Sequence, residues 1–118
     1  MMVWIELEDV VQLRIRMLLE IKPGLDIEYS IQEGNWALLT LKDGSRLIGF
    51  EFLESSDSWT RPDALLQYYE PADDGFYVGI IIPSSVLEDF KDMIFSIEEF
   101  PVTLLTYEDI NIEGLVTV

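Results

Sequence analysis

Twenty-three Asp and Glu side chains, with no His and no Cys anywhere in 118 residues, define what chemistry this chain can carry. Without imidazole there is no side chain whose ordinary pKa moves protons near neutrality. Without imidazole or thiolate the usual ligands of zinc, copper and haem are missing too. What remains is carboxylate acid–base work, hard cations held by oxygen, and binding. Asp73-Asp74-Gly75 has the clustered acids and glycine turn that suit Ca²⁺ or Mg²⁺, but it lacks the alternating ligands and closing Glu of a calcium loop and reads as a plain turn. No phosphate-cradling Gly-rich loop, dinucleotide fingerprint or Gly-x-Ser-x-Gly elbow is present.

One carboxylate set has a more specific spacing. Pro62-Asp63 followed by Asp89-Phe90-Lys91 resembles the Pro-Asp…(Asp/Glu)-x-Lys pattern of metal-dependent nucleases, which implies carboxylates on Mg²⁺ and a Lys that orients the attacking water. That chemistry needs the second group on a strand beside the first. Here Asp89 and Lys91 fall in an amphipathic helical pattern, so a helix surface is the simpler expectation. A small carboxylate- and divalent-metal-dependent hydrolase is carried as the alternative function.

Seven Lys and Arg leave a net charge of −16. Nucleic-acid binding draws its non-specific affinity from basic side chains that release counterions, so direct nucleic-acid binding is not expected, nor is docking on anionic lipid. Residues 63–118 hold twelve acids against Lys91 alone, hence −11 of the −16. This half would steer a basic partner. The absence of Cys fits a reducing compartment, and no apolar run reaches bilayer length, so a cytoplasmic protein is expected.

The elements that would position these groups follow from periodicity. Asp9 to Lys22 reads as a helix capped by Asp9, with Val10, Leu13, Met17 and Ile21 on one face and Pro23-Gly24 as the stop, although Val11 to Met17 also alternates as a strand would. Leu25 to Ile31 alternates as a half-wet strand. Trp36 to Lys42 and Ser45 to Leu53 flank Asp43-Gly44, the signature of a type I′ hairpin, which would set Leu39 opposite Ile48 and Ala37 opposite Phe50. Leu41-Lys42-Asp43-Gly44 with Gly49 resembles the first two strands of Sm-like or SH3-like small barrels, which implies a bent second strand and a third function class, a small barrel binding module. The RNA-reading elements of that family are missing here. Gly49 suggests a bulge, a bend or a close backbone approach. Ala64 to Glu70 and Phe76 to Ile82 read as two more strands around a Pro71–Gly75 turn. Ser85 opens a second helix, with Val86, Phe90, Met93, Ile94 and Ile97 on its apolar face, and Val102 to Tyr107 and Ile112 to Val118 read as closing strands.

The expected fold is therefore α+β: one domain over residues 1–118, with a mostly antiparallel, bent sheet or small barrel-like core, an N-terminal helix and a second helix near residues 85–99. The expected function is a non-enzymatic acidic interaction domain, of inhibitor, immunity, chaperone or adaptor type, that binds a basic protein; a homodimer is compatible. No cofactor, metal or catalytic residue is expected. On an ideal helix Phe95 lies opposite the apolar face among Glu88, Lys91, Asp92 and Glu99, and an aromatic ringed by polar groups is a typical interface anchor. Phe95, Glu88, Asp92 and Glu99 are thus the expected partner-binding residues, with Trp59, a Trp in a polar loop that reads either as the anchor of a folded-back loop or as a ligand platform.

Overall fold

The structure is a computed structural model that describes residues 4–94, 101–110 and 115–116. Three antiparallel strands form a meander: β2 (Leu25–Gln32), β3 (Trp36–Asp43) and β4 (Arg46–Leu53), preceded by α1 (Leu7–Ile21). A loop leads from β4 into α2 (Ala64–Asp73), and the chain returns as β5 (Tyr77–Ile82), parallel to β4. After α3 (Leu87–Ile94), β6 (Thr103–Thr106) pairs parallel with β5, giving a five-stranded sheet in the order β2-β3-β4-β5-β6. The short strands β1 (Trp4–Ile5) and β7 (Leu115–Val116) pair with each other, parallel and apart from the sheet.

The fold is α+β with an N-terminal helix, as the residue pattern implies; the sheet, however, is open and mixed. The reason is α2. Residues 64–70 expected as a strand are helical, and a helix between β4 and β5 makes that connection a crossover, which returns the chain parallel. Its buried positions, Ala64, Tyr68 and Ala72, recur every four residues as a helical face requires. The expected turn at Pro71 to Gly75 is instead the end of this helix. The Phe76 N–H bonds the Pro71 carbonyl and the Gly75 N–H bonds the Ala72 carbonyl, both at 3.0 Å, with Gly75 at φ +90°. That is a Schellman cap, and it sets Phe76 against Pro71.

The inner strands of the sheet are covered on both faces. Against α1 pack Leu39, Leu41, Leu53 and Ile81, and against α2 and α3 pack Phe52, Val78, Ile80 and Ile82. The N-terminal helix starts earlier than expected, at Leu7, and Asp9 serves as its third residue, accepting the Glu6 N–H at 3.3 Å. Its buried stripe is Leu7, Val10, Val11, Arg14 and Leu18, so the face is rotated from the expected one, and Leu13 and Ile21 are exposed, the latter at 77%.

The hairpin forms at the expected place in a shifted register. Gly44-Ser45 are the loop residues, and only Gly44 is left-handed, at φ +64°, so the turn is not type I′. Leu41 then faces Gly49 while Lys42 faces Leu47, which leaves Ile48 as an extra residue in β4. Leu39 consequently faces Glu51 and Ala37 faces Leu53. Among the described residues, no helix is long and apolar enough to cross a membrane.

Candidate functional site

Among the described residues two carboxylates, Glu51 and Glu54, are fully buried, and both are consumed by the fold. Glu51, on the α1 side of β4, takes a two-pronged ion pair from Arg14 of α1, Nε to Oε1 at 2.7 Å and Nη2 to Oε2 at 2.8 Å, and the Tyr77 hydroxyl donates to Oε2 at 2.7 Å. Burial opposes the Arg14 charge, but the bonds and charge of Glu51 outweigh it and hold the guanidinium above its usual pKa. Two glycines make room. A Cβ on Gly49 would collide with the Tyr77 backbone, and one on Gly79 with the Tyr77 hydroxyl, so the Tyr77 main chain and the tip of its ring each lie where a side chain is missing.

Glu54 follows β4 and organises the loop to α2. Its Oε1 accepts Arg61 Nη1 at 2.6 Å and the Ser58 hydroxyl at 2.7 Å; its Oε2 accepts the Tyr68 hydroxyl at 2.6 Å and Arg61 Nη2 at 3.1 Å. The Tyr107 hydroxyl donates to the Glu54 backbone carbonyl. Burial, then the charge of the neighbouring glutamate, pushes the pKa of Tyr68, Tyr77 and Tyr107 well above the ordinary phenol value. Arg61 lies over the Trp36 ring, 3.7 Å from its centroid, and Trp36 in turn stacks on Phe52 at 5.9 Å. This column closes one end of an open groove.

The groove, about 550 Å³, runs between α2 and the uncovered part of the sheet. Because side chains alternate across a strand, Trp36 and Leu38 of β3 and Phe50 and Phe52 of β4 point to the α2 side and form an apolar floor. The helix cap adds Pro71 and Phe76, the latter edge-on to Phe50 at 6.4 Å. The rim is Gln32, Gln67, Glu70 and Asp74, and no Lys or Arg is among the lining residues. Glu70 and Asp74 are exposed and stand at the carbonyl end of α2, whose last turn holds no basic residue. A helix C-terminus carries partial negative charge, so these acids add to its field. The arrangement suits a cation attached to an apolar stem.

The sequence-expected residues lie elsewhere. Trp59 is half-buried; its indole N–H donates to the Ser56 carbonyl at 2.9 Å and its ring meets Phe90 edge-on at 5.7 Å, so it anchors the folded-back loop. Glu88 and Asp92 are exposed on α3, whose buried side is Phe90 and Ile94. Phe95 and Glu99 lie outside the described residues. Asp63 precedes α2 and Asp89 and Lys91 sit on α3, so the nuclease-like spacing does not fall on neighbouring strands. Among the described residues no group of three or more acids is placed to hold a metal ion. No local signal marked the groove, because its floor comes from alternate residues of two strands and its rim from a helix end. In comparisons with known proteins, no family model, curated protein or solved structure matches this chain.

Proposed function

We propose that this chain is a non-enzymatic interaction domain that binds a basic protein through the α2–β3–β4 groove. The observation that carries the reading is the lining of that groove: five apolar side chains of the sheet and of the turn after α2 (Trp36, Leu38, Phe50, Phe52 and Phe76) under a rim of acids and amides, with the adjoining Arg61 already paired with Glu54. A Lys or Arg side chain can lay its methylenes on Phe50 and Phe76 and bring its charge to Glu70, Asp74 and the carbonyl end of α2. The net charge of −16, with Glu88 and Asp92 exposed on α3, speeds the encounter with such a partner. The two buried carboxylates support binding over hydrolysis, since each already holds a guanidinium and a tyrosine hydroxyl.

The test is calorimetric titration with a synthetic Lys/Leu peptide at low and high salt. Two partly exposed ion pairs contribute about 0.5–1 kcal/mol each, so Glu70→Gln with Asp74→Asn should weaken binding roughly tenfold and flatten its salt dependence. Unchanged affinity in that variant, whose fold is checked by its melting curve, contradicts the reading.

A further inference from the structure

We propose that the free edge of β2 receives an extended, basic segment of the partner as a sixth strand of the sheet. The inference rests on the reading above, that the partner is basic, and says how its chain is held. The β2 strand closes one side of the sheet and, among the described residues, pairs only with β3. Its eight residues pair with β3 without a bulge, so its outward N–H and C=O groups form a regular row, in which the Leu25 N–H at the start already bonds the Lys22 carbonyl at 3.1 Å. An edge of this kind is a template for another strand unless something blocks it. The other edge, β6, is only four residues long.

The side chains of β2 define the guest. On the α1 side Leu25 and Ile27 are half-buried, whereas Tyr29 and Ile31 are 40% and 46% exposed, so an added strand gains apolar contact there. On the groove side the row is Asp26, Glu28, Ser30 and Gln32, opposite Lys42, Thr40, Leu38 and Trp36 of β3. Asp26 stands opposite Lys42 in the register, and the Lys42 ammonium reaches Glu28 at 3.8 Å, so the acids of this row outnumber the cation beside them. Opposite charges across a strand pair stabilise it and like charges oppose it. A strand that alternates basic with apolar residues matches both faces. A second copy of this chain does not, because it brings another Asp26–Glu28 row and a further −16 to the same edge. Gln32 belongs both to β2 and to the groove rim, so the edge and the groove adjoin at that residue. Main-chain bonds to β2 would supply affinity and the alternating side chains selectivity.

The probe is an eight-residue alternating Lys-Val peptide, used with two derivatives N-methylated at every second position, one set in each parity. In an added strand only one parity turns its N–H groups toward β2. One methylated peptide should bind within about twofold of the parent and the other at least tenfold more weakly. Amides of β2 should gain exchange protection with the parent. Asp26→Asn with Glu28→Gln should weaken the parent several-fold. Equal behaviour of the two methylated peptides, no new protection in β2, or a protein dimer formed through β2 overturns the proposal. Binding seen only at Phe50, Glu70 and Phe76 removes this inference and leaves the groove reading intact. No binding of any basic peptide removes both.

Discussion

Removing Arg14 while leaving Glu51 in place should be among the most damaging single changes in the chain. Arg14→Met keeps most of the apolar stem but deletes both prongs of the ion pair, so Oε1 of Glu51 loses its donor and Oε2 keeps only Tyr77. Two charge-assisted hydrogen bonds at ~1.5–3 kcal/mol each suggest a loss of about 3–6 kcal/mol. Breaking a buried pair by removing one partner gives a similar ~3–5 kcal/mol. Against a total stability of ~5–15 kcal/mol for a domain, this is about a fifth or more of what holds it folded. Adding Glu51→Leu removes the stranded charge, and Tyr77, which is only half-buried, can turn its hydroxyl to water. The double variant should therefore recover to within about 1–2 kcal/mol of the parent, because apolar replacement of a buried pair is often close to neutral. Urea unfolding followed by tryptophan fluorescence reads the difference as a shift in midpoint at constant slope. If the double variant is no more stable than Arg14→Met alone, Glu51 is not a buried charge that depends on Arg14, and the reasoning fails.

Four further outcomes are expected. Gly49→Ala should destabilise by on the order of 1–3 kcal/mol or prevent folding, because its Cβ meets the Tyr77 main chain, which cannot retreat without parting β4 from β5; a neutral melt would show that the strands are spaced otherwise. Gly44→Val, forced to φ +64°, should lose at least about 1 kcal/mol in the same assay, and no loss would remove the left-handed turn. The folded state holds the phenol protons of Tyr68, Tyr77 and Tyr107 more tightly than the unfolded chain, whose tyrosines titrate near 10.0, so stability is full below that pH and falls above it. Phenolate absorbance should accordingly show three groups that appear only as the fold is lost, and their smooth release from folded protein near pH 10.0 would contradict their burial. Trp59→Ala should lower stability by roughly 2–3 kcal/mol through the lost contact with Phe90, yet leave peptide affinity unchanged; loss of affinity without loss of stability would return Trp59 to the binding surface.

Local chemistry made part of this fold readable. The meander stands out because Leu25 to Ile31 alternates apolar with polar residues, because Trp36 to Leu41 is an almost unbroken apolar run, and because a glycine after Asp43 permits the tight turn. Its register was not readable: using Gly44-Ser45 as the loop and inserting Ile48 move every pairing from the one an Asp43-Gly44 loop would set. The α2 helix is hidden because two of its three buried positions are alanines, while Leu66 and Tyr69 are exposed, so hydropathy does not report its face. Arg14 on a core face reads as polar until Glu51, 37 positions away, is brought beside it. The acidity that suggests a basic partner is plain in the composition, whereas the groove that would hold one exists only after β3, β4 and the end of α2 are assembled.

The most direct measurement is an amide chemical-shift titration of the isotope-labelled protein with the Lys/Leu peptide, repeated in high salt and with a Glu/Leu peptide of equal length. The expected result is saturable shifts clustered on Gln32, Leu38, Phe50, Gln67, Glu70, Asp74 and Phe76, weakened by salt and absent with the acidic peptide. Saturable shifts that leave these residues unmoved, or equal binding of the acidic peptide, would contradict the assignment of this groove as a site for basic partners.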